Sequence, residues 1–254
     1  MHLILTGATG LVGSGVLDAM IKMKDVTKIS VLSRRPVKLA EDSKDPRVNV
    51  IIHKDFEKYD SELMSKLQGA SGCVWALGIS QTQVSKEEYV KITKDYALEA
   101  SKAFQTLGSE QEPFNFVYVS GEGATTKPTR FSALFAQVKG QTELALADMR
   151  RQNPIFHASS VRPSFVDASN HDAIKPYLPN QVWQIKATIA VLGPVIKCGF
   201  PGYWSPTQDL GRFLTEVAMG RYKDQFKAKD IEMVGEFPII ANTAFRRLGG
   251  FNTA

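Results

Sequence analysis

Thr6-Gly7-Ala8-Thr9-Gly10-Leu11-Val12-Gly13 is the stretch that decides the fold. The apolar run Leu3-Ile4-Leu5 precedes it and a helical pattern over 12–24 follows, so its glycines sit in a strand-to-helix turn. Glycine at relative positions 1, 4 and 7 lets the backbone turn tightly, approach a pyrophosphate and pack helix against strand, while free N–H groups at the helix start attract phosphate. The spacing differs from G-x-G-x-x-G, and a turn with only a packing role is the alternative. Its position directly after the first strand favours a dinucleotide site.

Outward from this loop, apolar runs predict strands over 3–6, 28–33, 48–53, 72–76, 114–120 and 156–162. Helical stretches over 12–24, 61–68, 86–107 and 131–151 separate most of them. Strands alternating with helices imply parallel crossovers, and continuous apolar strands such as Val50-Ile51-Ile52 suit a sheet covered on both faces. The expected fold is α/β, a doubly wound parallel sheet of Rossmann type. After Pro163 the alternation stops. A helix near Thr207 and a short strand over 231–234 follow, so residues 1–254 read as one domain, with 168–206 as a small C-terminal substrate cap.

The 254 residues include 31 Lys+Arg against 26 Asp+Glu, and the +5 charge is spread without a basic block, which does not indicate nucleic acid. Cys73 and Cys198 match no metal or disulfide spacing and fit a reducing compartment. The first residues enter an apolar strand with no basic leader, from which a cytoplasmic protein is expected. The apolar stretch 182–200 is nearly long enough to span a membrane, but it holds Lys186, Lys197 and Pro194. A charge at mid-bilayer costs roughly 2.5–3.5 kcal/mol, so a buried or substrate-lining helix is expected instead.

The chain resembles the short-chain dehydrogenase/reductase superfamily, whose extended and atypical members carry TGxxGxxG at the N-terminus. It is most similar to the atypical, NmrA-related branch that includes Tat-interacting oxidoreductase-like proteins. The resemblance rests on Thr6 to Gly13, Leu32-Ser33-Arg34-Arg35, Asp55-Phe56-Glu57, Lys94-Asp95-Tyr96, Gln137-Val138-Lys139-Gly140 and Val161-Arg162-Pro163. It covers about the first 165 residues, and the cap matches loosely. It places Asp55 and Phe56 beside the adenine and Ala76-Leu77-Gly78 along the ribose and nicotinamide edge. Lys139, Pro163, Ser164, Phe165 and Val166 fall on the nicotinamide half.

The end of the second strand separates the two nicotinamide cofactors: an acid bonds the ribose hydroxyls of NAD, and a basic group accommodates the 2′-phosphate of NADP. Here Ser33, Arg34 and Arg35 stand there with no acid before Glu41, which favours NADP over NAD. A pair of solvated surface arginines is the alternative.

Carbonyl-reducing members of the superfamily use a Ser after the fifth strand and a Tyr-x-x-x-Lys pair. Ser120 and Lys139 take the Ser and Lys positions, but the residue four before Lys139 is Phe135. A benzyl side chain has no proton to exchange, so the usual acid is absent while the expected ribose anchor remains. Tyr118, on the Ser120 face by period-two alternation, and Glu122, in the loop that follows, are substitutes; packing and solvation are their ordinary roles. The four histidines have no partners at metal or triad spacing, and no catalytic metal is expected. In the cap, Trp183, Tyr203 and Trp204 suit a bulky apolar small-molecule substrate or the core equally.

Three functions fit these residues. The first is an NADP(H)-dependent oxidoreductase acting on a small or medium apolar carbonyl, imine or activated alkene. The second is a non-redox isomerase or cyclase that uses the cofactor as scaffold. The third is an NADP(H)-sensing regulator. A homodimer is compatible with each.

Overall fold

The first strand is sealed from both sides. In β1 (His2–Thr6) every residue is buried. Leu3 and Leu5 point into one apolar cluster and Ile4 into another, as the two-residue repeat of a strand requires. The computed structural model describes residues 1–178 and 199–251.

Around β1 lie β2 (Lys28–Ser33), β3 (Val48–Ile52), β4 (Ala70–Trp75), β5 (Phe114–Val119) and β6 (Phe156–Arg162), then β9 (Glu232–Val234) and β10 (Phe237–Ala241). Their order is β3-β2-β1-β4-β5-β6-β10-β9, parallel throughout except for the β9–β10 pair. The expected doubly wound sheet is present. One face packs on α1 (Leu11–Lys22) and α7 (Thr207–Ala218) through Leu3, Leu5, Val16, Val31, Val117 and Leu214. The other packs on α3 (Ser61–Leu67), α5 (Tyr96–Phe104) and α6 (Leu134–Gln152) through Ile4, Trp75, Phe104, Phe116 and Leu146. Burying each such side chain contributes about 1.5–3 kcal/mol, and helices on both faces let a parallel sheet do this without alternation.

Three elements differ from the sequence reading. The helix expected over 86–107 is broken into α4 (Lys86–Val90), a wide turn at Lys91–Asp95 with π-type bonding, and α5. The wide turn offers the Thr93 carbonyl to the Tyr118 hydroxyl at 3.2 Å. The α/β alternation also resumes after Pro163, because β10 joins the sheet beside β6. β10 is only five residues long and contains Pro238, which masks it in sequence. A separate two-stranded parallel pair forms from β7 (Phe165–Asp167) and β8 (Trp204–Pro206). Within the expected cap range, Trp183 and most of the apolar stretch lie outside the described residues.

A histidine at the start of β1 gives the fold a pH dependence. His2 Nε2 and Ser30 Oγ are 2.8 Å apart, and burial first, then the Lys28 charge, lowers the imidazole from 6.5 to about 4. The unfolded chain therefore takes up this proton between pH 6.5 and 4, while the folded chain does not. Stability falls as pH drops through that window and levels off below it. Urea unfolding should show wild type losing up to roughly 1 kcal/mol per pH unit more than His2→Gln there; parallel curves would remove His2 as the cause.

Candidate active site

The carboxyl end of β1 delivers Gly7 at φ +72°, where a Cβ would stand 2.2 Å from the Ala76 carbonyl oxygen. A Cβ at Gly13 would stand 2.1 Å from the Gly7 oxygen, so the first turn of α1 rests directly on the loop. Gly10 caps α1 with no side-chain bond, and no acidic residue lies in the first turn. Its opening N–H groups have no side-chain acceptor and carry the positive end of the helix dipole, the arrangement that holds a pyrophosphate.

A cleft of about 950 Å³ opens on this helix end. Gly7, Thr9, Gly10, Leu11 and Val12 form one side, and Ala76, Leu77 and Gly78 after β4 form the floor. Ser120 and Glu122 after β5, Lys139 on α6, and Pro163, Ser164 and Val166 after β6 form the far side. A recess of about 390 Å³ continues it at the end of β2, lined by Leu32, Ser33 and Phe56 and sharing Gly7, Thr9, Arg34, Arg35 and Leu77 with the cleft. Both lie outside the carboxyl ends of the strands, where doubly wound sheets take their ligands.

Arg34 and Arg35 are exposed at the rim. Among the described residues the arginine ion pairs are those of Arg47, Arg151, Arg162, Arg221 and Arg247, so both rim guanidiniums remain free for an anion. Ser33 is committed to the turn: its hydroxyl donates to the Arg35 carbonyl at 2.7 Å. Phe56 closes the recess from below, with its ring edge-on to Trp75 at 5.9 Å.

At the other end, Ser120 Oγ is buried without a hydrogen-bond partner. Lys139 Nζ donates to the Ser120 carbonyl at 2.6 Å and the Val119 carbonyl at 3.3 Å. Its stem is open to the cleft, but burial of the ammonium lowers its pKa from 10.5 to about 8, against an opposing pull from Glu143. That side chain is fully buried and accepts from Arg162 at 2.6 Å and from Ser160 at 2.8 Å, which holds it in place one turn beyond Lys139.

Several expected residues stand elsewhere. Thr6 and Gly13 lie under the loop, Thr6 Oγ1 accepting the Leu77 N–H at 3.3 Å. Asp55 is exposed, accepts from the Glu57 N–H, and does not line the recess. Tyr118 does share the Ser120 face, but its ring is fully buried and its hydroxyl is held by Thr93, with burial raising its pKa. Its depth and its bond to Thr93 suit the packing role. Glu122 reaches the cleft and is exposed. Phe135 turns its ring toward Gly123, where a Cβ would be 3.4 Å from Cζ, rather than into the cleft.

Phe165 pairs with Trp204 between β7 and β8. Trp204 Nε1 donates to Asp167 at 3.0 Å, and Tyr203 is 56% exposed; neither aromatic lines the cleft. Two features were not read from the sequence. Ile79, Ser80 and Gln83 continue the cleft wall, in a polar run with no periodicity to mark it. His171, which has no partner at metal or triad spacing in the sequence, bridges Asp18 and Thr207 at 2.9 Å each and clamps the loop after β7 onto α1 and α7. Its partners are 153 and 36 residues away, beyond any local signal.

No family model matches the chain. It is 42% identical over 157 residues to Botcinic acid biosynthesis cluster B protein 16 of Botryotinia fuckeliana, covering 61% of this chain and 99% of the relative. It is 34% identical over 257 residues to Leucinostatins biosynthesis cluster protein T of Purpureocillium lilacinum, covering 94% and 90%. A protein named "Protein FMP52, mitochondrial" in Lodderomyces elongisporus is 27% identical over 92% of this chain and 93% of its own. Other relatives bear the same name. The expectation of a cytoplasmic chain is corrected by these relatives, which are named as mitochondrial.

Among solved structures the chain resembles a double mutant of the dTDP-glucose 4,6-dehydratase DesIV from Streptomyces venezuelae, solved with NAD and DAU bound. The TM-score is 0.64 at 19% identity, covering 98% of this chain and 79% of that one. It also resembles the Bordetella bronchiseptica enzyme WbmF in complex with NADH, with TM-score 0.63 at 12% identity and coverage of 100% and 78%. At these identities the likeness concerns the fold, which is the Rossmann type of such enzymes. Among the described residues no helix is long and apolar enough to cross a membrane.

Proposed function

Because this chain belongs to the family of Leucinostatins biosynthesis cluster protein T and Botcinic acid biosynthesis cluster B protein 16, we propose that it is an NADP(H)-dependent oxidoreductase of natural-product assembly. Its substrate is a small or medium apolar carbonyl, imine or activated alkene. The TGxxGxxG loop supports a place among the atypical, NmrA-related reductases. One observation carries the reading: the unpartnered Ser120 hydroxyl and the Lys139 ammonium share one cleft with an uncapped helix start and two free arginines. These groups fit a dinucleotide from its 2′-phosphate end to its nicotinamide end. The neighbours solved with NAD and NADH support the same class of ligand.

The bound nicotinamide supplies a hydride donor or acceptor. The α1 terminus binds the pyrophosphate, and Arg34 and Arg35 take the 2′-phosphate. Ser120 Oγ donates to the substrate oxygen or nitrogen and orients it. Lys139 has three N–H bonds and commits two to carbonyls, which leaves one that would serve the ribose or the acceptor atom. With Tyr118 sealed and Phe135 without a proton, Lys139 is the acid that protonates this atom. A pKa of about 8 suits that task near neutrality.

Incubation with ketones, imines and enals should oxidise NADPH with at least one class; tight binding without turnover on any of them would remove the redox reading. Phe135 favours a second reading, a non-redox isomerase or cyclase, which product formation without change in cofactor absorbance would support. Phe135→Tyr places its hydroxyl against the Gly123 loop, so carbonyl reduction should change less than about threefold, against the 10²–10⁴-fold typical of a positioned acid. A rise above about tenfold would show that the proton was the missing element.

A further inference from the structure

A second cavity, of about 570 Å³, lies at the opposite end of the sheet. Asn115 at the start of β5 and His157 and Ser159 in the first half of β6 line it. Asn115 is five residues before Ser120, which at strand rise separates the two sites by about 16 Å. Val217 at the end of α7, Phe226 and Met233 give it an apolar wall.

Its charge is one-sided. Arg150, Lys223 and Lys227 line it, and Glu236 is the one carboxylate that does so among the described residues. None of the three cations takes part in an ion pair among the described residues. Arg150 donates through Nη1 to the Ala158 carbonyl at 2.7 Å, while its Nε is buried without a partner. Lys223 folds back over Gly220: a Cβ built there would stand 3.1 Å from Lys223 Nζ and 3.2 Å from Asn115 Nδ2. Two nitrogen donors from separate elements thus converge at one spot. Burial and the Arg150 charge both hold the Lys223 ammonium below its usual range, and burial, Arg150 and Lys223 lower His157. Three cations gathered at an apolar wall against the single carboxylate of Glu236, among the described residues, are the complement of an amphipathic anion.

We propose that this cavity binds a small organic anion with an apolar body, of the medium-chain carboxylate class. Its carboxylate meets Arg150, Lys223 and the Asn115 amide, and its chain lies along Val217, Phe226 and Met233. The proposal is independent of the reaction assigned to the cleft.

Calorimetric titration of the full chain with octanoate, octanol and inorganic phosphate tests it. Octanoate should bind at a single site about tenfold or more tighter than either of the others, since it alone has both charge and chain. Lys223 stands in a three-residue turn outside the sheet and its helices, with its backbone at the surface, so its variants should fold. Lys223→Gln should weaken octanoate about tenfold and Lys223→Glu further, with NADPH affinity unchanged in both. Equal binding of octanoate and octanol, equal binding of octanoate and phosphate, or full octanoate affinity in Lys223→Glu would each overturn the proposal.

Discussion

Lys139→Met should lower NADPH-dependent turnover about a thousandfold, within the range by which a positioned acid accelerates a reaction. Met keeps the length of the stem beneath Ser120 and removes the charge and the donors. The loss also leaves the Ser120 and Val119 carbonyls without their Lys139 bonds, at a stability cost of about 1–2 kcal/mol. A pH profile separates acid from anchor. Because burial lowers the Lys139 pKa to about 8, the ammonium that gives the proton is present below that pH and is lost above it. Wild-type kcat should therefore be level on the acid side and fall about tenfold per unit above pH 8. If Lys139 only held the ribose, substitution would raise KM for NADPH and leave the alkaline limb of the remaining kcat in place.

Gly7→Ala should be the most damaging substitution in the loop. Its φ of +72° costs a side-chain residue about 1–2 kcal/mol, and a Cβ 2.2 Å from the Ala76 oxygen forces the β1 and β4 ends apart for about 1–3 kcal/mol more. We expect a stability loss of about 3 kcal/mol in urea unfolding, with NADPH affinity down at least a hundredfold, since displacing a positioned loop by an ångström has effects of about that size. Gly78→Ala is the control. It lines the same cleft, but a Cβ there meets nothing within 4 Å, so stability should stay within about 0.5 kcal/mol. Equal loss in both variants would mean that the glycines matter for chain flexibility rather than for this close approach.

What could be read from sequence was local. β1 announced itself because Leu3-Ile4-Leu5 is an unbroken apolar run ahead of a glycine turn, and the glycine loop because its three glycines sit at a strand-to-helix boundary. Ser120 and Lys139 followed from their places after β5 and on α6. Tyr118 shows the limit: alternation gave its face correctly but not its depth, which the wide turn at Thr93 decides from 25 residues away. β10 escaped because five residues with a proline carry too little pattern, although they complete the sheet. The cavity at the other end of the sheet draws on α6, α7 and the β9–β10 hairpin, residues with no common spacing.

The most direct test is a pair of binding titrations, NADPH and NADH, against wild type and an Arg34→Ala/Arg35→Ala double variant. Two free guanidiniums at the recess should give NADPH a preference on the order of 30-fold, from charge-assisted hydrogen bonds worth about 1.5–3 kcal/mol each before solvent screening. The double variant should bind both cofactors with nearly equal, NADH-like affinity. Saturable NADPH binding with that preference, lost in the double variant, is the expected result; absence of binding by either nucleotide, or a preference for NADH, would contradict the assignment of the cleft.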